Sequence, residues 1–334
     1  MSMSPLQAYL WNAAILLLSI AASSLNLHAQ ESSKLSEARY DIWIIDTHTV
    51  GEGESNGSSA RFLRLDDNGG WQPSSEDGFL QSLSPSKPVN YVLPGYMSDL
   101  SLGIEQAWSY HHHLDQHAKT GGASSSPTRI VLWAWPSERQ GLAILRDARN
   151  KAARAEREGA WLAQHLIKLP RNYRAHLLAH SFGARIAAAA AQHLASAAQS
   201  GEPGRLTSPR LTGTLIAPAI DSDWLEAGRP HQLALGRFEK LLLVNNSSDR
   251  VLKRYRFLDR SSRQEAVGFV GLTISDRQLA RKIQQIDASH LVGKVHHWHQ
   301  HFESPTIMAS IAPIALFKED TDQSVKGLAS VTER

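Results

Sequence analysis

The chain has 334 residues, 42% of them apolar, which is enough to bury one large core, and one domain is favoured over two. Its 35 basic and 32 acidic residues leave a formal charge of +3 with no polybasic run, which argues against a nucleic-acid partner. Cysteine is absent, so disulfides, thiol nucleophiles and cysteine-linked lipids are excluded.

Residues 1–29 read as an export signal. The run "AAILLLSIAASSL" is apolar but short for a bilayer span, and Leu27 and Ala29 fit a signal-peptidase site before Gln30. No Lys or Arg precedes Lys34, so an uncleaved N-terminal anchor is the alternative. The protein is therefore expected in the periplasm or outside the cell, or else held at a membrane by this segment. One domain is expected over 38–320, with a polar tail over 321–334.

Along the mature chain, β-rich runs alternate with helical patterns. Strands are expected over 40–50 and 61–65, joined by the Gly/Ser-rich turn "GEGESNGSSA", and again over 88–96. A helix capped by Ser98 should cover 98–116, a strand 128–137, and a long helix 138–170, closed by Pro170. Then come a strand at 173–181, an alanine-rich helix at 182–199, strands at 210–221 and 239–249, a short strand at 282–289 and a last helix at 304–317. This alternation implies an α/β fold, a mostly parallel sheet covered by helices on both faces.

The segment "LLAHSFGAR" places Ser181 where a buried strand turns into a helix. Such a turn is sharp and leaves room only for small residues two positions away, which Ala179 and Gly183 satisfy. It lifts the hydroxyl above the carboxyl edge of the sheet, at a helix N-terminus able to receive negative charge. The plainer alternative is a serine that merely caps the helix.

Four stretches together resemble the α/β hydrolases, and within them a bacterial branch of esterase-like hydrolases of the domain-of-unknown-function 900 type. "VNYVLPGYMSD" resembles the strand and loop that usually end in His-Gly, and "VLWAWPS" the branch's Trp-Pro-Ser strand end. "LLAHSFGAR" is similar to its nucleophile elbow, and "LIAPAIDSDW" to its Ala-Pro-Asp-Ile-Asp strand end. Two departures stand out: Ala179 replaces the usual first glycine of the elbow, and Pro94 replaces the usual histidine before Gly95.

The resemblance implies a serine hydrolase with the chain order Ser, acid, His. "NNSSDRVLK" resembles the family's acid-bearing strand end and offers Asp249, with Asp221, and after it Asp223, as the fallback; a helix cap is the plain reading of Asp249. The segment "VGKVHHWHQHFESP" offers the base. His296, directly after the Gly293 turn, comes first, then His299 and His297; His301 should lie in a helical turn, and His290 is an earlier candidate. The oxyanion hole is expected from the backbone amides of Phe182 and Tyr96.

The expected activity is carboxylester hydrolysis through an acyl-enzyme, on a small-molecule ester or acyl substrate, with no metal and no organic cofactor. A membrane would enter only through an uncleaved N-terminal segment. No lid-like apolar insertion is visible, which favours short or soluble esters. Two other classes stay open: a catalytically inactive hydrolase-fold binding module, and a metal-binding protein built on the sixteen histidines. The run "HHH" at 111–113 speaks against the latter, because consecutive helical residues point to different faces. Trp133, Trp135 and Trp161 read as packing residues.

Overall fold

The computed structural model describes residues 40–51, 59–120, 128–200, 209–258 and 263–317. The expected signal or anchor at 1–29 and the tail at 321–334 lie outside these residues. Nine strands form one sheet: β1 (Ile42–Asp46), β2 (Arg61–Leu65), β3 (Trp71–Ser74), β4 (Val89–Leu93), β5 (Arg129–Ala134), β6 (Arg174–His180), β7 (Arg210–Ile216), β8 (Lys240–Asn245) and β9 (Ile283–Asp287). Their spatial order is β3-β2-β1-β5-β4-β6-β7-β8-β9. From β1 through β9 the neighbours are parallel; β2 and β3 add an antiparallel meander at one end.

The longer helices are α1 (Glu76–Gln81), α2 (Leu100–Thr120), α3 (Ile144–Ile167), α4 (Gly183–Gln199), α5 (Trp298–Glu303) and α6 (Pro305–Ala315). Every residue of β4 and β5 is buried, which requires cover on both faces. Adjacent residues of β4 show how that cover divides. Asn90 bonds the α6 carbonyl of Ala315 (3.4 Å) and accepts from Tyr110 of α2 (2.9 Å). Tyr91, pointing the other way, meets His165 of α3 at 3.0 Å. The alternation thus places α2 and α6 on one face and α3 on the other, where α4 packs beside it.

Several boundaries differ from expectation for identifiable reasons. The helix expected from 138 begins at Ile144, because Gly141 takes a left-handed φ of 72°. The helix α2 is capped by Asp99, whose Oδ1 accepts from the Leu102 amide (2.8 Å), and not by Ser98. The strand expected over 210–221 stops at Ile216, since Ala217 has φ 44°. The strand β3 and helix α1 were not expected; α1 is capped by Ser75 Oγ, and Pro73 sits in an edge strand where its missing N–H is tolerated.

Buried polar groups pin the layers together. Glu158 of α3 accepts from Thr47 Oγ1 (2.9 and 3.0 Å), Trp133 Nε1 (2.8 Å) and Arg154 Nε (2.8 Å), joining β1, β5 and α3. Burial pushes its carboxyl upward in pKa while Arg154 pulls it down. Among the described residues five histidines are buried, and three of them are neutralised by that burial alone or chiefly. His176 meets Thr212 Oγ1 at 2.9 Å, His180 ends β6, and His301 of α5 bonds the His297 carbonyl at 3.1 Å. Burial pushes all three down, His176 to about 3, His301 to about 4 and His180 well below its ordinary value.

Replacing Glu158 by Leu leaves Arg154 as a buried, unpaired cation and should destabilise the protein by about 3–5 kcal/mol, whereas the double change Arg154→Met with Glu158→Leu should cost markedly less. Urea unfolding of the three proteins checks this; equal losses in the single and double variants would contradict it.

The three histidines make a pH prediction. Each is neutral in the fold and takes up a proton in the unfolded chain below about pH 6.5, so its contribution is present above that pH and is lost as pH falls, by up to about 1.4 kcal/mol per pH unit each. His48, raised by Asp46, acts in the opposite direction. Stability should therefore fall between pH 7 and pH 5, and fall less steeply in His176→Phe; a flat urea profile over that range would contradict the assignment.

Candidate active site

The strand β6 ends at His180, and Ser181 follows with φ 53°, a left-handed backbone that is costly for a serine. The bend is held by its own hydrogen bonds. The Ser181 amide donates to the Ile216 carbonyl (3.0 Å), and the Ser181 carbonyl accepts from the amides of Ala184 (3.0 Å) and Ala219 (3.1 Å). Glycine is required at Gly183 in this turn and at Gly95 in the loop that packs on it. A Cβ on Gly183 would lie 2.0 Å from the Leu93 carbonyl oxygen, and one on Gly95 would lie 2.8 Å from Ser181 Cβ. Ala179 is fully buried in the sheet.

Three candidates from three connections meet here. The Ser181 hydroxyl donates to His296 Nε2 (2.9 Å), and His296 Nδ1–H donates to Asp249 Oδ2 (2.7 Å). An ionised carboxylate only accepts, so it selects the tautomer that leaves Nε2 free to accept from the serine. Asp249 is fully buried. Its other oxygen, Oδ1, accepts from the amides of Val251 (2.7 Å) and Leu252 (3.0 Å), at the start of a 3₁₀ turn over Leu252–Phe257. The two sequence readings of this residue, cap and histidine partner, are thus both present, one on each oxygen.

The remaining candidates lie elsewhere. Asp221 accepts from Tyr255 (2.5 Å) and pairs with Arg185 (3.3 Å), and Asp223 pairs with Arg229 (3.0 Å). His297 accepts from the His299 amide at the start of α5 (3.4 Å), His299 meets Glu303 (3.1 Å), His301 is buried in α5, and His290 is exposed. None of the four has a hydrogen bond to Ser181 among the described residues. In α2, His111 packs on Tyr40 and Trp108, His112 is exposed and His113 donates to the Ser109 carbonyl. Among the described residues, no three His, Asp or Glu side chains gather so as to hold a metal ion.

The loop after β4 brings Pro94, Gly95 and Tyr96 alongside the serine, and the Trp-Pro-Ser end of β5 holds it there. Trp135 Nε1 donates to the Pro94 carbonyl (2.9 Å), Ser137 Oγ to the Ser98 carbonyl (2.5 Å), and the Met97 amide to the Ser137 carbonyl (2.8 Å). Among the described residues, neither the Tyr96 nor the Phe182 amide has an acceptor. Their rings stack at 5.8 Å, and the Tyr96 hydroxyl donates to Asp147 (2.6 Å). Burial, helped by that carboxylate, pushes the Tyr96 phenol up to about 12, so it stays protonated as a donor. Trp133 and Trp161 are buried, as is Trp135.

Two residues at the site were not singled out in the sequence. Asn246, the first residue after β8, donates through Nδ2 to the carbonyls of Gly293 (2.8 Å) and Val295 (3.2 Å), while its Oδ1 accepts from the Ser248 amide (2.9 Å). It therefore shapes the acid's turn and ties the histidine loop to it; the Asn-Asn-Ser-Ser run after an apolar strand is the signal that could have found it. His180 donates from Nε2 to the His296 carbonyl (2.7 Å), its ring 5.0 Å from that of His296. Nothing in the local sequence distinguishes it from any other strand residue.

A protein-family model described as alpha/beta hydrolase of unknown function (DUF900) matches residues 107–315. No curated protein matches the chain. Among solved structures, an inhibited esterase B from Lactobacillus rhamnosis is similar at 14% identity and a TM-score of 0.33, covering 91% of this chain and 94% of that one. MGS-M1, an alpha/beta hydrolase from a Medee basin deep-sea metagenome library, is similar at 12% identity and a TM-score of 0.30, covering 76% and 87%. The chain belongs to the alpha/beta hydrolases of the DUF900 family, with their fold, a mostly parallel sheet between two layers of helices.

Proposed function

We propose that this hydrolase is an exported carboxylesterase that works through Ser181, His296 and Asp249. The observation that carries the reading is the continuous hydrogen-bond chain from the Ser181 hydroxyl through His296 to buried Asp249. In the proposed cycle, Ser181 Oγ attacks the ester carbonyl as its proton passes to His296 Nε2. Asp249 stabilises the imidazolium formed. The oxyanion accepts hydrogen bonds from the Phe182 and Tyr96 amides, which explains two amides without acceptors beside a nucleophile. Collapse expels the alcohol, which takes the proton from His296, and a water activated by the same nitrogen hydrolyses the acyl-enzyme. The substrate is a small-molecule ester. Export rests on the apolar segment within residues 1–29, with membrane anchoring as its variant; among the described residues, no helix is long and apolar enough to cross a membrane.

Hydrolysis of p-nitrophenyl butyrate by the full chain tests the mechanism. Ser181→Ala and His296→Ala should each lower kcat by about 10⁴-fold or more, and Asp249→Asn by about 10⁴-fold while Ser181 remains folded into its turn. Unchanged hydrolysis in Ser181→Ala would contradict it. A wild type with no esterase activity would favour the binding-module reading.

A further inference from the structure

Ten large apolar side chains are exposed among the described residues, and all ten lie in segments that follow the carboxyl ends of β4, β5, β8 and β9. Scattered exposed hydrophobics need no explanation, but a set confined to one edge of a molecule does. The densest part is a pair of segments, 139–149 before and into α3 and 250–257 after β8. They are joined by Arg149 Nε, which donates to the Leu258 carbonyl (2.5 Å). They expose Leu142, Ile144, Leu145, Val251 and Phe257, with Leu142 93% exposed. Between these lie seven exposed cations: Arg139, Arg146, Arg149, Arg250, Lys253, Arg254 and Arg256. The only acid within the two segments is Asp147, which is buried and bonded to Tyr96; Glu138, just outside, faces His48 (3.2 Å).

We propose that this edge docks on an anionic lipid surface, with the apolar side chains entering the acyl boundary and the cations meeting the headgroups. Apolar tips interleaved with basic residues are complementary to such an interface. Other occupants fit less well. A second copy in a twofold contact would oppose one cationic face to another. The apolar N-terminal segment "AAILLLSIAASSL" carries no charge and would leave all seven cations unanswered. A nucleic acid would answer the cations and leave Leu142 in water. The face adjoins the nucleophile, since Tyr96 next to Ser181 bonds Asp147 within it. If the serine-hydrolase reading holds, on which this last step rests, the substrate is an amphiphilic ester that enters from the lipid surface, and the short soluble esters expected from the missing lid are only surrogates.

The absence of cysteine allows a direct test on the full chain. Leu142→Cys and Phe257→Cys, each labelled with a polarity-sensitive fluorophore, are compared with Ser200→Cys at the far end of α4, using vesicles of phosphatidylcholine with phosphatidylglycerol or of phosphatidylcholine alone. The emission should shift to the blue at both edge sites and not at Ser200→Cys, only with the anionic vesicles, and less in 1 M than in 0.1 M salt, as the screening length falls from about 10 to about 3 Å. Adding Arg254→Ser with Arg256→Ser should weaken vesicle affinity about 25-fold, about fivefold per cation. No shift, an equal shift at Ser200→Cys, or an equal shift with neutral vesicles would overturn the proposal, as would blue-shifted emission before vesicles are added, which would mean the face is covered by the N-terminal segment or a second copy. Because the readout is binding, its failure leaves the role of Ser181 untouched, and loss of that role leaves the docking untouched.

Discussion

The candidate site depends on one backbone constraint, the left-handed conformation of Ser181 at the end of β6. A turn of this kind costs on the order of 1–3 kcal/mol for a non-glycine residue and persists only where its surroundings overdetermine it. Here they do. The amide of Ser181 is bonded to the last residue of β7 and its carbonyl to the connection that follows, and the backbone of Leu93 and Pro94 presses so closely on Gly183 that no side chain fits there. The same closeness seats Gly95 against the Ser181 side chain, where an added Cβ would lie 2.8 Å from Ser181 Cβ. The strain and the two glycines are thus consequences of one packing arrangement between β4, β6 and β7.

The second constraint is that an imidazole from a distant part of the chain reaches that hydroxyl, with a carboxylate from another part behind it. Parallel strands deliver their carboxyl ends to one edge, so the loops after β6, β8 and β9 are neighbours although residues 181, 249 and 296 are far apart in sequence. Asp249 is fixed by the two amides on Oδ1, leaving Oδ2 aimed at His296. Asn246 bonds the histidine loop at Gly293 and Val295, and His180 bonds the carbonyl of His296 itself. The imidazole is therefore positioned from three sides, by groups that a substitution scan restricted to the serine, acid and base would not touch.

Much of this was legible in the residues. Buried apolar runs such as "LLLV" and "IVLWA" announce central parallel strands, and a small-x-Ser-x-Gly turn between strand and helix announces an elbow. The choice among five histidines was harder, because a loop of unknown path gives spacing no meaning. The Gly293 turn points to His296, and in the fold it is the one that meets Ser181, since His297 onward enters α5. What sequence could not disclose are the contacts made by backbone closure: the hold of Trp135 and Ser137 on the loop after β4, and that of His180 on His296. The short edge strand β3, with its proline and only four residues, carries too weak an alternation to be read.

Covalent labelling tests the central claim most directly. The full chain is incubated with a fluorophosphonate at neutral pH and the modified peptide is identified by mass spectrometry, alongside His296→Ala. The account predicts a single adduct on Ser181, formed rapidly in the wild type and far more slowly when the histidine is absent. An adduct on another residue, or labelling of Ser181 that is as fast without His296, would contradict it.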